Sequence, residues 1–208
     1  MEFSITKKAS NLSRGLFIVG LISIIIGVAL NYDSEHFATR LLGSGLANAF
    51  FFFALGLGAL FFLALNYATE AGWYAVVKRV IESVALYLPY GIGALALVLL
   101  IISFMKGAHI YLWMDDHFIH TDKIIEGKTP YLNVVFFWIR TVVYFTVYLL
   151  FLRGFRKRSL LEDQEGGTNL HFTNYRKGAL FLVFFAVFSS TSAWDWIMSI
   201  DVHWFSTL

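Results

Sequence analysis

The chain contains no cysteine, which removes disulfides, thiolate metal sites, iron–sulfur ligation and covalent attachment of c-type haem through its own side chains. Any electron carrier working with it belongs to another protein or is diffusible. Histidine is also absent where a membrane haem would need it. A b-type haem takes axial ligands from well inside the helices, whereas His36, His109, His117, His120, His171 and His203 all lie in the gaps between apolar runs or at their ends. Charged residues make up only 14% of the chain, and a net charge of +2 gives no reason to expect a nucleic-acid partner. Proline occurs twice, and only Pro89 falls inside an apolar run.

Apolar residues fill the space these absences leave. They make up 58% of the sequence, which excludes a water-soluble domain of this size, and aromatic residues make up 18%. Five runs stand out, at 12–32, 46–65, 84–105, 134–152 and 179–197. Each has roughly the twenty residues that a helix rising about 1.5 Å per residue needs to cross hydrocarbon. The expected fold is therefore an all-α polytopic membrane bundle of five spans, read as a single transmembrane domain over 1–208. Basic residues alternate between the gaps. Lys7, Lys8 and Arg14 precede the first run, Lys78 and Arg79 stand in the second gap, and Arg153, Arg156, Lys157, Arg158, Arg176 and Lys177 fill the fourth. The first gap has Arg40 among Asp33 and Glu35, and the long third gap offsets Lys106, Lys123 and Lys128 with Asp115, Asp116, Asp122 and Glu126. The positive-inside rule then puts the amino terminus in the cytoplasm and the last residue outside. No small-x-small cleavage site follows Leu30, so the first run reads as a retained signal-anchor helix.

Lipid supplies no hydrophobic drive between helices, so small residues and buried polar contacts must hold the bundle. Gly45/Ala49 and Ala54/Gly58 are spaced for close approach of a neighbouring helix. Asn11 or Ser13 is expected to cap the first helix. The segment 66–83 is expected to join the third span as a continuous or slightly broken helix, with Pro89 and Gly91/Gly93 kinking it near the membrane middle. The third gap is too long for a simple turn and should fold over the bundle or contact a partner. The fourth, containing Gly166-Gly167, reads as a mobile cytoplasmic loop. Residues 199–208 carry neither a polar tail nor a charge cluster; this reads as entry into a further span, so the chain is expected to be the front part of a longer subunit.

Arg140 is the most unusual residue. It lies seven positions after Asn133, about 10 Å inside the outer boundary, where an ionisable group normally faces protein and has a partner. Asp195, about 24 Å along the fifth run from its inner end, is the candidate. A structural salt bridge and a polar site for a ligand or proton both fit the pair. Ser189, Ser192, Asp195 and Ser199 recur at three- and four-residue steps, so they share a helix face that would pass protons through hydroxyls and water, although such hydroxyls commonly bond the carbonyl four residues back. Asp201 and His203 extend this set to the outer surface. At the inner face Glu70 and Glu82 flank Lys78 and Arg79, with Lys78 and Glu82 one turn apart; charge compensation and a proton entry both fit. Asp115, Asp116, His117 and His120 are a weak metal-ligand pattern, and no metal site is assigned from them.

Three motifs resemble a known family: Ala71-Gly-Trp-Tyr-Ala-Val-Val-Lys-Arg-Val-Ile-Glu82 followed by Leu88-Pro89; Lys128-Thr-Pro-Tyr-Leu-Asn133 leading to Phe136-Phe-Trp-Ile-Arg140; and Ser192-Ala-Trp-Asp-Trp-Ile-Met-Ser-Ile-Asp-Val-His-Trp-Phe-Ser-Thr207. On these the chain resembles the N-terminal half of the second NrfD-like, quinone-binding-type membrane subunit of alternative complex III, the bacterial quinol:cytochrome c oxidoreductase. The resemblance implies two helix bundles, of which this chain matches the first. It also implies a bacterial inner-membrane location and membrane lipid all round. The implied partners are a sister NrfD-like quinol-binding subunit, an iron–sulfur subunit, multi-haem and mono-haem c-type cytochromes, and a terminal oxidase. Haem c and iron–sulfur clusters would sit in those partners. The sister subunit is the stronger candidate for the quinol site, so this chain's expected role is to support quinol oxidation, proton movement and assembly, with any quinone contact made at its polar helix faces. A transporter subunit, which would call for repeated broken helices around a midplane site, and a structural membrane anchor are the alternatives.

Overall fold

A computed structural model describes residues 6–34, 36–105, 108–166 and 168–204. Glu35, Lys106, Gly167 and residues 205–208, which include the end of the third motif, lie outside the described residues. No strand occurs among those described. Five helical segments are long and apolar enough to cross a membrane: Lys7–Asn31, Phe37–Ala68, Lys78–Phe104, Val134–Glu165 and Asn169–Ile200. The protein is an all-α, multi-pass membrane protein.

Contacts divide the chain into two units, residues 1–41 and 42–208. The first is built on α1 (Lys7–Asn31). Its cap is Thr6, whose hydroxyl accepts the Ala9 N–H at 3.4 Å, so the helix begins ahead of Asn11 and Ser13: the polar residues 7–11 continue the spiral because a capped start satisfies the free N–H groups. None of its residues is buried, and a helix apolar on all sides suits hydrocarbon. At its far end the Asn31 side chain donates to the Gly27 carbonyl at 2.8 Å, and Tyr32 meets Phe37 with ring centres 6.0 Å apart.

The second unit contains most of α2 (Phe37–Ala68), then α3 (Lys78–Ala85), α4 (Leu88–Phe104), α5 (Asp116–Thr121), α6 (Lys123–Lys128), α7 (Val134–Glu165) and α8 (Asn169–Trp196). Glycine sets the closest approaches. A Cβ on Gly56 would stand 2.8 Å from the Leu88 Cα, one on Gly91 would stand 2.8 Å from the Phe53 Cα, and one on Gly178 would stand 2.7 Å from the Ala64 carbonyl oxygen. Helix α2 is thus pressed against α4 on one side and α8 on another, as small residues permit in a membrane bundle. The expected Ala54/Gly58 contact is absent: both are exposed, and nothing lies within 4 Å of a Cβ on Gly58. The sequence places Gly56 two residues away on the face that turns inward.

Two further expectations, the kink in the third span and the loop in the fourth gap, are corrected. The third span breaks at Leu86-Tyr87, between α3 and α4, not at the membrane middle, because Pro89 occupies the first turn of α4, where its missing N–H costs nothing. Gly91 is a packing position there and Gly93 is exposed, so neither marks a bend. The fourth gap is mostly helix: α7 runs on to Glu165 and α8 starts at Asn169. Ion pairs described below hold its charged end against α3. Before α3, a 3-10 turn covers Gly72–Val76, so the 66–83 segment is a broken helical passage. Glu70 opens it at φ 51°. The Glu70 N–H donates to Tyr67 at 3.3 Å and the Ala71 N–H to Asn66 at 3.1 Å, the bond pattern of a left-handed helix cap usually filled by glycine.

Residues 108–133 fold onto one end of the bundle. Tyr111, Trp113 and Met114 are buried, the Tyr111 hydroxyl donates to the Trp196 carbonyl at 2.7 Å, and Trp113 meets Phe137 at 5.4 Å. Asp115, Asp122 and Asn133 cap α5, α6 and α7 by accepting the N–H groups of His117, Ile124 and Phe136. Behind this lies an aromatic core in which Trp196, fully buried, contacts Phe53, Tyr144 and Phe145 and donates to the Thr141 hydroxyl at 3.1 Å.

Candidate functional site

Two buried carboxylates mark opposite ends of the bundle. Arg140 near the start of α7 and Ser159 near its end are nineteen residues apart, about 28 Å along the axis.

At the first end Asp195 is fully buried and Arg140 is 10% exposed. The guanidinium grips the carboxylate with two parallel bonds, Nε to Oδ2 at 2.8 Å and Nη2 to Oδ1 at 2.7 Å, the fork geometry that makes arginine the strongest partner for a carboxylate. The Tyr144 hydroxyl donates to Oδ2 at 3.2 Å. On the cation's other side Nη1 donates to the Tyr131 carbonyl at 3.1 Å, and the guanidinium carbon lies 3.9 Å from the Tyr131 ring centre and 4.3 Å from that of Phe136. Two aromatic faces and a carbonyl therefore share the charge that Asp195 balances. Tyr144 lies one turn beyond Arg140 on α7 and was legible by that spacing. Tyr131 precedes the helix, and only the fold of the 128–133 turn brings it over Arg140.

Beside the pair lies a cavity of about 330 Å³ whose lining includes Lys128, Tyr131, Leu132, Trp194, Ser199 and Trp204. Lys128 does not point its charge into solvent; its Nζ donates to the Val202 carbonyl at 2.5 Å, pinning the segment that follows α8 to the loop. Tyr131, at the mouth of α7, has its phenol pushed up to about 12, first by burial and then by the charge of Asp195.

The serine ladder is only partly a ladder. Ser192 and Ser199 are buried with Asp195, while Ser189 is half-buried. Their hydroxyls donate back to carbonyls, Ser189 to Ala186 at 3.5 Å, Ser192 to Ser189 at 3.2 Å and Ser199 to Asp195 at 2.5 Å, and not to the Asp195 carboxylate. Asp201 and His203 are exposed beyond it. The Asp201 carboxylate accepts the His203 N–H at 3.1 Å, and the His203 Nε2 lies 2.8 Å from Asp122 Oδ2. The Asp122 carboxyl is held below its ordinary range, chiefly by the Ile124 N–H and then by His203. Asp115 is occupied as a cap and by His109 at 3.6 Å. Among the described residues no three histidine or acidic side chains gather as a metal site.

At the second end Glu82 is almost fully buried. Its Oε2 accepts from Arg79 Nη1 at 2.7 Å and from Arg156 Nη1 at 2.8 Å, and its Oε1 accepts from the Ser159 hydroxyl. Arg79 also bonds Ser159 and Asp163. Lys78 does not pair with Glu82 one turn on; it reaches Glu162 at 2.6 Å. The i,i+4 spacing loses because Glu82 turns inward while α7 carries Glu162 past Lys78. Glu70 stands apart from this cluster, exposed, with its carboxylate 3.4 Å from the His171 ring. The partners Arg156, Ser159, Glu162 and Asp163 all come from the stretch read as loop, and continuing the helical spacing of α7 past Leu152 is the signal that would have found them.

No protein-family model matches the chain, and no curated protein matches it.

Proposed function

We propose that this chain is an integral membrane subunit of a respiratory quinol:cytochrome c oxidoreductase of the alternative complex III kind. In this reading it sits in a bacterial inner membrane with its amino terminus in the cytoplasm. It works beside a sister NrfD-like subunit, an iron–sulfur subunit and c-type cytochromes, which pass electrons to a terminal oxidase. The three motifs, the five spans, the lack of cysteine and the placement of histidine only in gaps and at span ends, with His171 in the first turn of α8, support it: the redox centres are assigned to the partners.

One observation carries the functional part. A carboxylate with no exposure, Asp195, lies inside a membrane span, held by Arg140 and Tyr144 beside a cavity of about 330 Å³. Buried ionisable groups in membrane spans mark proton or ligand sites, and a mostly apolar cavity with a few polar groups suits a quinone ring. Arg140 holds the Asp195 carboxylate in place; Tyr131 and Ser199 line the cavity, and Asp201 and His203 link the region to the aqueous side.

The test has two stages. Purification from the native membrane in mild detergent should co-isolate haem c and iron–sulfur proteins; a homo-oligomer without them would overturn the assignment. In the assembled complex, Asp195→Asn should reduce quinol:cytochrome c turnover. Full turnover would leave the second reading, a structural brace, which the saturation of the Arg140 guanidinium by carboxylate, carbonyl and rings favours.

A further inference from the structure

The inner end of the bundle contains more cations than its carboxylates neutralise, and the surplus is not spread evenly. Glu82, Glu162 and Asp163 are taken by Arg79, Arg156 and Lys78. Arg158 and Lys177 have no carboxylate within ion-pair distance among the described residues, and they line the same cavity of about 230 Å³ between α7 and α8. The other walls are Leu150, Phe151 and Gly154.

Arg158 is held in place for a ligand. Its Nε donates to the Asn174 side-chain oxygen Oδ1 at 2.6 Å, and its guanidinium carbon lies 5.3 Å from the Phe155 ring centre. Asn174 is fully buried, and its amide nitrogen has no hydrogen-bond partner. The fork end folds back over Gly154, where a Cβ would stand 3.1 Å from Nη1 and 3.4 Å from Nη2. Glycine is the residue that leaves room for the guanidinium to lie flat there, with its two outer nitrogens unclaimed by any carboxylate.

The depth fits a head group. Arg158 is twenty-four residues beyond Val134, about 36 Å along α7, whereas the hydrocarbon core is about 30 Å thick. Leu150 and Phe151 lie about two turns back toward hydrocarbon. Charge at one end and apolar wall at the other match a lipid, and basic pockets between spans are where anionic head groups bind.

We propose that this pocket seats the phosphate of an anionic glycerophospholipid, gripped by Arg158 and Lys177, with an acyl chain against Leu150 and Phe151. The test uses the full chain, purified in mild detergent and stripped of lipid, titrated with phosphatidylglycerol, phosphatidylcholine or inorganic phosphate and followed by native mass spectrometry and melting temperature. Phosphatidylglycerol should bind in preference to phosphatidylcholine and raise the melting temperature, and inorganic phosphate alone should do neither. Arg158→Gln and Lys177→Gln should each weaken phosphatidylglycerol binding about fivefold, as expected for one cation at a membrane surface, while Arg176→Gln leaves it unchanged. Lys177 is exposed, so its variant folds even if Arg158→Gln does not. Equal binding of the two lipids, wild-type binding by Lys177→Gln, or a phosphate effect matching that of the lipid would each overturn the proposal.

Discussion

Replacing Asp195 with asparagine removes one charge and almost no volume, so it isolates the electrostatic part of the Arg140 contact. The carboxylate accepts three bonds, two from Arg140 and one from Tyr144. Asparagine keeps one acceptor and turns an N–H₂ group toward donors that cannot receive it. Leaving one partner of a buried ion pair costs about 3–5 kcal/mol. Part of this is offset here, because the guanidinium retains the Tyr131 carbonyl and two ring faces at 3.9 and 4.3 Å, contacts worth about 0.5–2 kcal/mol each to a desolvated cation. The expected loss is about 2–4 kcal/mol. An ordinary interhelical hydrogen bond in a membrane averages about 0.6 kcal/mol, so the two cases are separable. Reversible unfolding in mixed micelles measures the difference. Adding Arg140→Met with Asp195→Leu should recover much of the loss, since apolar groups replace a buried pair at little cost, less what the orphaned Tyr144 hydroxyl withdraws. A loss under about 1 kcal/mol for Asp195→Asn would refute the reasoning, as would a double-variant cycle with coupling below about 0.5 kcal/mol.

Gly178→Ala forces a methyl to within 2.7 Å of the Ala64 carbonyl oxygen and should destabilise by about 1–3 kcal/mol, whereas Gly58→Ala, with open space around it, should be neutral; unfolding of both variants checks the pair. Glu82→Gln strands Arg79 and Arg156, but both cations are 34–42% exposed and water takes up much of the charge, so a loss of about 1–2 kcal/mol is expected, below that of Asp195→Asn. Tyr131 binds its proton more tightly in the folded protein, with its pKa pushed up to about 12 from the ordinary 10. The folded state then holds more protons than the unfolded one between those values, so stability falls as pH rises from about 10 through about 12. Tyr131→Phe should flatten that fall in pH-dependent unfolding, and an unchanged slope would remove Tyr131 as its source.

Run length and charge alternation made the five spans legible because both follow from the physics of the bilayer, which acts on each segment alone. Arg140 and Asp195 were legible for the same reason: a charge that deep needs a partner, and no other acidic residue lies at a matching depth in the runs. What failed depended on rotation about a helix axis. Gly56 and Gly58 are two residues apart, and only the packed bundle decides which of them faces α4. The spacing of Lys78 and Glu82 had the same weakness, since it records that two side chains share a face but not that the face is buried against a helix carrying Glu162. The charged end of α7 was read as loop because its residues are polar, although nothing between Arg153 and Glu165 breaks a helix. Hydropathy marks where lipid ends, and the spiral continues beyond it.

The two polar ends bear on how protons are handled if the proposed function holds. From Asp195 inward, Tyr144 comes first and then Tyr148, whose buried hydroxyl faces Ser192 without closing a hydrogen bond to it. From Glu82, the Ser159 hydroxyl comes first, and beyond it the buried Tyr67 hydroxyl faces Ser159 and Tyr74 without closing a hydrogen bond to either. Between the two tyrosines stand Phe155 and Phe181, both fully buried, with Tyr67 stacked on Phe155 at 5.4 Å and Tyr148 edge-on to Phe181 at 6.3 Å. Neither ring carries a group that passes a proton, and Ser192 and Ser199 spend their hydroxyls on backbone carbonyls. The described residues therefore form two separate polar ends and no continuous hydrogen-bonded path. Under the proposed function, a proton path through the described residues would have to cross that aromatic gap. Phe181→Tyr is the informative change, because it puts a hydroxyl into that gap. If the aromatic plug is what separates the ends, this variant should speed proton leak through protein reconstituted in vesicles, read with a trapped pH dye. An unchanged leak rate would show that the separation lies elsewhere.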